Sequence, residues 1–500
     1  MIGNGLQANG SEDLFFLLTE ISLTGNVFKL RETKDTWVRY NSFELSSLKT
    51  NRSPMYNVNI KIISELKDFL TKVSESRDLL QCFCMGDKDF TRQRKLPFAR
   101  LVLLIVKLCK KTLSMELEQF FEEITVPGPC SVSAFVQQRL KLKPLFFNLW
   151  NLVLCRSYYL YAGIKAKRWK GYRVVAADGS SVSLVNNKAL SRYFGGQSNQ
   201  KTNYVLAKTF YHYDVLNELI LYSQIKPYRY GEVNMSYDAV GEIQQDMLMV
   251  YDRYYCGYKT MALHLWQPIE RKFVIRAKEG LKIVKSFIKS GKKSQVVYWP
   301  ATTYSRQGMT KSGYTVGKND PLKVRLVRVD LPGTVEVLVT NLWEEEGHPS
   351  EQFKDLYFLR WAIETNISVQ KNILQLESFS GLGVTSVLQD FYATVMIANL
   401  HSILINDAQQ TVDMQETVDM QENEKMYPMK INKNKSFGKL KSHIVFLFIT
   451  EDVQTILLKL NAYFVKNLVP VRKGRSFTRM RKNQQSKSKY KTFSNFKPAY

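Results

Sequence analysis

Long apolar runs are missing from this chain. The longest largely apolar stretches, 101–106, 391–400 and 444–449, fall far short of the roughly 18 residues a membrane helix needs. The first residues, MIGNGLQANGSEDLFFLL, hold no basic segment, so no signal peptide is expected. Cysteine is sparse: six residues, at 82, 84, 109, 130, 155 and 256. Cys82 and Cys84 are too close for a zinc knuckle and nothing else stands at metal-ligand spacing, so reduced, scattered thiols are expected rather than a disulfide framework or structural zinc. Five histidines, far apart in sequence, offer no metal cluster. Acid is also short: 45 Asp+Glu against 71 Lys+Arg leave a net charge of +26. Wholesale disorder is excluded by the 45% hydrophobic and 12% aromatic content. A chain of 500 residues has length for about three domains.

The excess charge points to a polyanion, nucleic acid before a membrane surface. It is unevenly placed. Residues 471–500 carry ten Lys/Arg and no acid, 151–173 carry six and no acid, and 271–293 carry nine with one acid, Glu279. One basic run is ordinarily a solvated face. Three runs, one mixed with Tyr490, Phe493, Phe496 and Tyr500, favour a nucleic-acid backbone.

Along the chain, 1–54 is a weakly patterned extension and 55–171 is mainly helical, with ISELKDFLTKV, LPFARLVLLIVKLCKK and SVSAFVQQRLKLKPLFFNLWNLVL at helical spacing. The pattern turns to β at 172. YRVVAADGSSVSLV reads as a strand, KTFYHYDVLNELILYSQIKP as a hairpin turning at Asp214–Asn217, MLMVYD as a buried strand, and FVIRAK as another. NMSYDAVGEIQQDM and YKTMALHLW read as helices. Residues 279–342 read as a β-rich insertion with one solvated face, built on QVVYWPATT, KVRLVRVD and TVEVLVTNL. A long helix begins near Ser350 and helices continue to about 408. TVDMQE occurs twice in tandem, at 411–416 and 417–422, and 409–436 is expected to be a flexible loop. A helical region, 437–470, and the basic tail, 471–500, follow.

Two buried-type strands stop at a carboxylate, VVAAD at Asp178 and MLMVYD at Asp252. Such positions lie at the rim of a sheet, where ligands bind. Each Asp alone is equally well a turn-former. Asp330 ends KVRLVRVD, but that strand alternates charged and apolar residues and Pro332–Gly333 follows, which reads as hairpin chemistry. On the helix EQFKDLYFLRWAIETNISVQKN, Tyr357, Arg360, Glu364 and Lys371 fall within roughly 60° of arc at 100° per residue, and Leu356, Ile363, Ile367 and Leu374 form the adjoining apolar face. Three carboxylates, Asp178, Asp252 and Glu364, can form an oxygen pocket for two Mg²⁺ ions, with Mn²⁺ able to substitute. Paired metals clamp the attacking and leaving oxygens of phosphoryl transfer, while Arg360 and Lys371 would hold backbone phosphates.

These residues resemble the DDE transposases of bacterial insertion sequences, in the branch with a Tyr-x2-Arg-x3-Glu-x6-Lys signature (insertion sequence four-like). Tyr357, Arg360, Glu364 and Lys371 match that spacing; ADGS with Asp178 and YDRYY with Asp252 match the two Asp motifs. YFLRWAIET, LESFSG and LQDFYAT resemble the catalytic-helix region, FTRQRKLPFARLVL and VSAFVQQRLKLKP the N-terminal region, so the similarity covers about 90–400. The resemblance implies an α/β (α+β) fold: a ribonuclease-H-like core at 172–278 and 343–408, interrupted by the β-rich insertion, behind an N-terminal helical DNA-binding domain and before a basic C-terminal helical region. It implies cut-and-paste transposition, with Asp178, Asp252 and Glu364 as catalytic metal ligands and Tyr357, Arg360 and Lys371 as DNA-binding residues. The partners implied are double-stranded DNA, both terminal inverted repeats and target, and a second copy of the chain in a synaptic complex. The implied location is cytoplasmic, on the bacterial nucleoid. Some relatives form a DNA hairpin and stack a flipped base on a Trp of the insertion; the matching strand, 334–342, has none, and Trp299 and Trp343 are the nearby ones. YDRYY departs from the family's usual Gly-Tyr. The competing readings are a catalytically inactive DNA-binding protein on the same scaffold and a nuclease that cuts without joining.

Overall fold

The computed structural model describes residues 56–472 except 93, 109, 199–202, 319 and 420–426. The expected extension at 1–54 and nearly all of the basic tail lie outside the described residues.

Strand β1 (Arg173–Leu184) organises the sheet, because its β-branched and small apolar residues can be buried on both faces. On one edge it pairs antiparallel with β3 (Asn203–Asp214), from Val175↔Asp214 to Leu184↔Val205. On the other it pairs parallel with β5 (Met247–Tyr251), but only from Arg173↔Met247 to Ala177↔Tyr251. β2 (Gly196–Ser198) and β4 (Leu219–Pro227) both pair antiparallel with β3, and β6 (Lys272–Arg276) pairs parallel with β5. The order β4-β3-β1-β5-β6, three antiparallel strands then two parallel ones, is that of a ribonuclease-H-like sheet, as expected. The 214–217 turn is also as read: Asp214 Oδ1 accepts from the backbone N–H groups of Leu216 and Asn217.

The segment read as a β-rich insertion continues this sheet. β7 (Ser294–Trp299), β8 (Leu322–Leu331) and β9 (Thr334–Thr340) extend it in the order β6-β9-β8-β7. Asp330 sits in the β8–β9 hairpin, paired with Arg328 at 2.7 Å. Gly333 takes φ +76° in the turn, a conformation that costs glycine little.

Among the described residues, eight helices precede or interrupt the first five strands: α1 (Tyr56–Glu75), α2 (Arg77–Phe83), α3 (Phe98–Val106), α4 (Leu113–Glu123), α5 (Val132–Arg139), α6 (Leu145–Ala162), α7 (Lys188–Phe194) and α8 (Glu232–Asp238). Then come α9 (Tyr258–Leu265), α10 (Lys282–Lys289), α11 (Thr303–Thr310), α12 (Phe353–Phe358), α13 (Ala362–Asn372), α14 (Val384–Asp419), α15 (Lys433–Lys441), α16 (Ile444–Ile449) and α17 (Val453–Lys466). Several periodic stretches break where local chemistry outweighs periodicity. α3 stops before Leu108, which has φ +56°. The 131–154 stretch divides around Pro144, which leads into α6. The 443–465 stretch divides at Asp452, whose side chain accepts from Thr455 N and starts α17.

The flexible loop expected at 409–436 is a correction. α14 runs through the first TVDMQE copy to Asp419, β10 (Met429–Ile431) pairs with β11 (Leu468–Pro470), and α15 begins at Lys433. Val412 is buried and Gln409 Nε2 donates to Asp413 Oδ1 one turn on, so the hexamer has an inner face as well as good helix formers. A second anchor joins α5 to α14. Arg139 is fully buried; it donates to Gln389 Oε1 at 2.9 Å, Ser380 Oγ at 2.7 Å and Asp390 Oδ1 at 2.9 Å.

Candidate active site

Asp178 is the first residue of β1 beyond its parallel pairing with β5. The fully buried stretch ends before it, but the strand runs on to Leu184 against β3, as the reading of 172–185 as one strand expects, because antiparallel pairing continues through Asp178↔Tyr211 and Gly179↔Phe210. The carboxylate nevertheless stands where the central parallel pair opens. Asp178 Oδ1 accepts from Gly179 N at 2.8 Å. Burial pushes its carboxyl up to about 6, opposed by that N–H, raised further by Asp252, lowered by Arg360 and raised again by Glu232.

Asp252 directly follows β5. Its Oδ1 accepts from Tyr254 N at 2.6 Å and starts a 3₁₀ turn, Arg253–Tyr255. That turn buries Tyr255, whose hydroxyl has no hydrogen-bond partner. Burial, then the charges of Asp178, Glu232 and Asp252, hold this phenol well above its ordinary pKa.

The third element is not one regular helix. A 3₁₀ turn, Leu359–Trp361, separates α12 from α13, so the 100° arithmetic is only approximate at Arg360. The turn still brings Arg360 over the site. Its Nη2 donates to Glu364 Oε1 at 2.9 Å, and Nη1 lies 4.0 Å from Asp178 Oδ2. Arg360 is 5% exposed and its Nε has no partner. Burial disfavours its charge, but the Glu364 hydrogen bond, Tyr357, Glu364 and Asp178 together keep the guanidinium more firmly charged than usual. Tyr357 is buried, with the Arg360 guanidinium 6.0 Å from its ring centre. Burial raises its phenol pKa; Arg360 and Arg276 lower it, and Asp252 raises it.

Lys371 takes a different place from the phosphate-facing one expected. Its Nζ donates to the Ser181 carbonyl of β1 at 2.6 Å, and burial lowers its pKa. Glu377, in the LESFSG stretch, accepts from Ser183 N at 3.0 Å. Together these bonds fasten the end of α13 to the far half of β1.

The structure thus brings Asp178, Glu364 and Arg360 together, with Asp252 and Tyr357 beside them. It buries Trp299, at 7% exposure, which removes that ring as a stacking surface. Trp361, Phe358 and Tyr254 are the exposed rings beside the carboxylate elements. Sequence reading also missed Glu232, whose charge reaches both Asp178 and Tyr255. Its signal was faint: one acid at the start of a seven-residue helix.

Among the described residues, no three His, Cys, Asp or Glu side chains are grouped closely enough to hold a metal as they stand. The donor chemistry nonetheless suits a hard cation, since Mg²⁺ takes only one or two protein carboxylates and completes its shell with water and phosphate. The partnerless Tyr255 hydroxyl amid these acids marks polar capacity that the protein alone leaves unused. No helix among the described residues is long and apolar enough to cross a membrane.

Residues 169–400 match the family model described as the transposase DDE domain. That span contains Asp178, Asp252 and Glu364. No curated protein matches the sequence. Among solved structures, one described as the piggyBac transposase synaptic complex with hairpin DNA matches at 11% identity and a TM-score of 0.35, covering 85% of this chain and 88% of that one. Likeness at that level assigns nothing to this chain.

Proposed function

We propose, for a chain that is a DNA transposase with its DDE domain at 169–400, that Asp178, Asp252 and Glu364 are the catalytic carboxylates of cut-and-paste transposition. The observation that carries this reading is the bridge made by Arg360, which reaches the first carboxylate and the third from one guanidinium. In this reading the three acids hold Mg²⁺, or Mn²⁺ in its place. The bound ions supply charge neutralisation at the reacting phosphate and a more acidic water.

The protein's own groups do the rest. At the open edge of the parallel pair only about one-fifth of the Asp178 side chain, 21%, stays exposed, and this partial burial strengthens the charge interactions there. Arg360 offers a planar fork, suited to a phosphate as well as to the carboxylate it now holds. On DNA binding it would trade part of its Glu364 contact for the backbone, releasing that carboxylate for the ion. Tyr357 packs under the guanidinium and limits its motion. The substrates are the element's terminal inverted repeats and the target duplex, engaged by two copies of the chain in a synaptic complex. Hydrolysis frees a 3′-OH at each end, and that hydroxyl then attacks a target phosphate. The setting is the bacterial cytoplasm, on the nucleoid. The Tyr357, Arg360, Glu364 and Lys371 spacing supports the insertion sequence four-like branch.

Asp178→Asn, Asp252→Asn and Glu364→Gln should each abolish Mg²⁺-dependent cleavage of element-end DNA and leave DNA binding intact. Normal cutting by any of the three sinks the assignment. A strand-transfer assay with pre-cleaved ends separates a transposase from a nuclease that only cuts.

A further inference from the structure

Gly179 follows Asp178 on β1 and has no room for a side chain. A Cβ there would lie 2.7 Å from Glu232 Cγ and 2.8 Å from its Cδ, closer than real atoms approach. The side chain of Glu232, from the first turn of α8, is therefore laid flat against the backbone beside Asp178. Its Oε1 is held by Lys208 Nζ at 2.6 Å. Lys208 is on β3, opposite Ser181, whose carbonyl binds Lys371. The two acids and two lysines thus line one stretch of β1, from 178 to 181. Tyr255, buried and without a hydrogen-bond partner, feels the charges of Asp178, Glu232 and Asp252 alike.

Resting on the reading of Asp178 and Asp252 as metal ligands, we propose that Glu232 is a fourth carboxylate of this site, whose charge raises the site's affinity for a divalent cation, and that Lys208 is the counter-ion that holds Glu232 while no cation is bound. Glu232 and Lys208 are both about one-fifth exposed, at 20% and 19% of the side chain. A pair at that depth can separate without leaving either charge dry. When a cation arrives, Glu232 turns toward it and Lys208 is left free to meet a DNA phosphate. Glycine at 179 is then a requirement of the site rather than of the strand, whose φ there is unremarkable.

The test is Mn²⁺ binding by the full chain without DNA, followed by electron paramagnetic resonance. Glu232→Gln should weaken Mn²⁺ binding roughly tenfold or more, the scale on which groups supporting metal ligands act. Gly179→Ala, which must displace Glu232, should weaken it similarly. Lys208→Gln should bind Mn²⁺ at least as tightly as the unaltered protein, because a competitor for Glu232 is gone. Thermal melts without metal identify any variant that fails to fold, and Glu232→Asp, which keeps the charge, should recover part of the affinity lost in Glu232→Gln. Unchanged Mn²⁺ binding by Glu232→Gln alongside lost binding by Asp178→Asn would overturn the inference and keep the proposed function. Equal weakening by Lys208→Gln and Glu232→Gln would also overturn it, since the pair would then be structural. Asp178→Asn binding Mn²⁺ as tightly as the unaltered protein would refute the proposed function itself.

Discussion

Arg360 Nη2 donates to Glu364 Oε1 at 2.9 Å, one helical turn away. The residues are four apart, yet this is more than a surface helix pair, because Arg360 is 5% exposed and the same guanidinium approaches Asp178. Removing it leaves two acids facing each other without a cation. Arg360→Ala should lower cleavage of element-end DNA on the order of 10²-fold, the scale of a lost transition-state donor. Arg360→Lys should restore only part, since a point charge cannot serve two oxygens with fixed geometry. Wild-type cleavage rates in Arg360→Ala would show that the bridge has no part in the chemistry.

Lys371 reaches the Ser181 carbonyl rather than open solvent. If it exchanges that carbonyl for a phosphate when DNA binds, Lys371→Ala should flatten the plot of log affinity against log salt by about one unit. If it only fastens α13 to β1, the slope should stay and the melting temperature should fall. Fluorescence anisotropy over a salt series decides between the two, and an unchanged slope removes Lys371 from the DNA-binding set.

The residues of the candidate site stand out in the sequence because their signals are local. Asp252 follows five buried apolar residues, and Tyr357, Arg360, Glu364 and Lys371 lie within fifteen residues of one another. What was not legible depends on long-range pairing. That β1 loses its parallel neighbour at Asp178 but keeps β3, about thirty residues on, is decided by pairing the local sequence does not report. Glu232 carries no motif; only the fold lays it over Gly179. The three later strands read as a β-rich insertion, since alternation reports one wet face but not which strand lies beside it. β9 pairs with β6 and so makes them part of the main sheet. The end of α14, from 409, reads as a loop because a polar repeat has little hydrophobic pattern, yet it is helical through Asp419.

Arg139 and Asp390 form a buried pair at 2.9 Å between α5 and α14. Burial raises the Asp390 pKa, but Arg139, Lys110 and the Ser380 N–H together bring it below the usual carboxylate value. Breaking one side of such a pair costs about 3–5 kcal/mol, whereas replacing both partners with apolar residues of similar size is often neutral. Arg139→Ala should therefore unfold at markedly lower denaturant, and Arg139→Met combined with Asp390→Leu should recover much of the loss. Recovery that fails would show that the bonds to Gln389 and Ser380, rather than charge pairing, carry the anchor.

Asp407 on α14 and Asn59 on α1 set up a pH dependence far from the carboxylate site. Asn59 Nδ2 donates to Asp407 Oδ2 at 2.8 Å. The remaining oxygens, Asn59 Oδ1 and Asp407 Oδ1, are buried without partners. Burial pushes the Asp407 carboxyl up to about 7, with the Asn59 bond opposing. The folded chain therefore keeps a proton on Asp407 between the ordinary carboxylate pKa near 4 and about 7, while the unfolded chain has lost it. Stability from this group declines as pH rises through that window and is lowest above 7. Asp407→Asn cannot ionise and removes the decline. It should melt higher than the unaltered protein at pH 8, by roughly 2 °C or more, and the advantage should shrink toward pH 5. Melting curves at the two pH values check this, and a constant difference between the proteins would show that Asp407 does not titrate in the window.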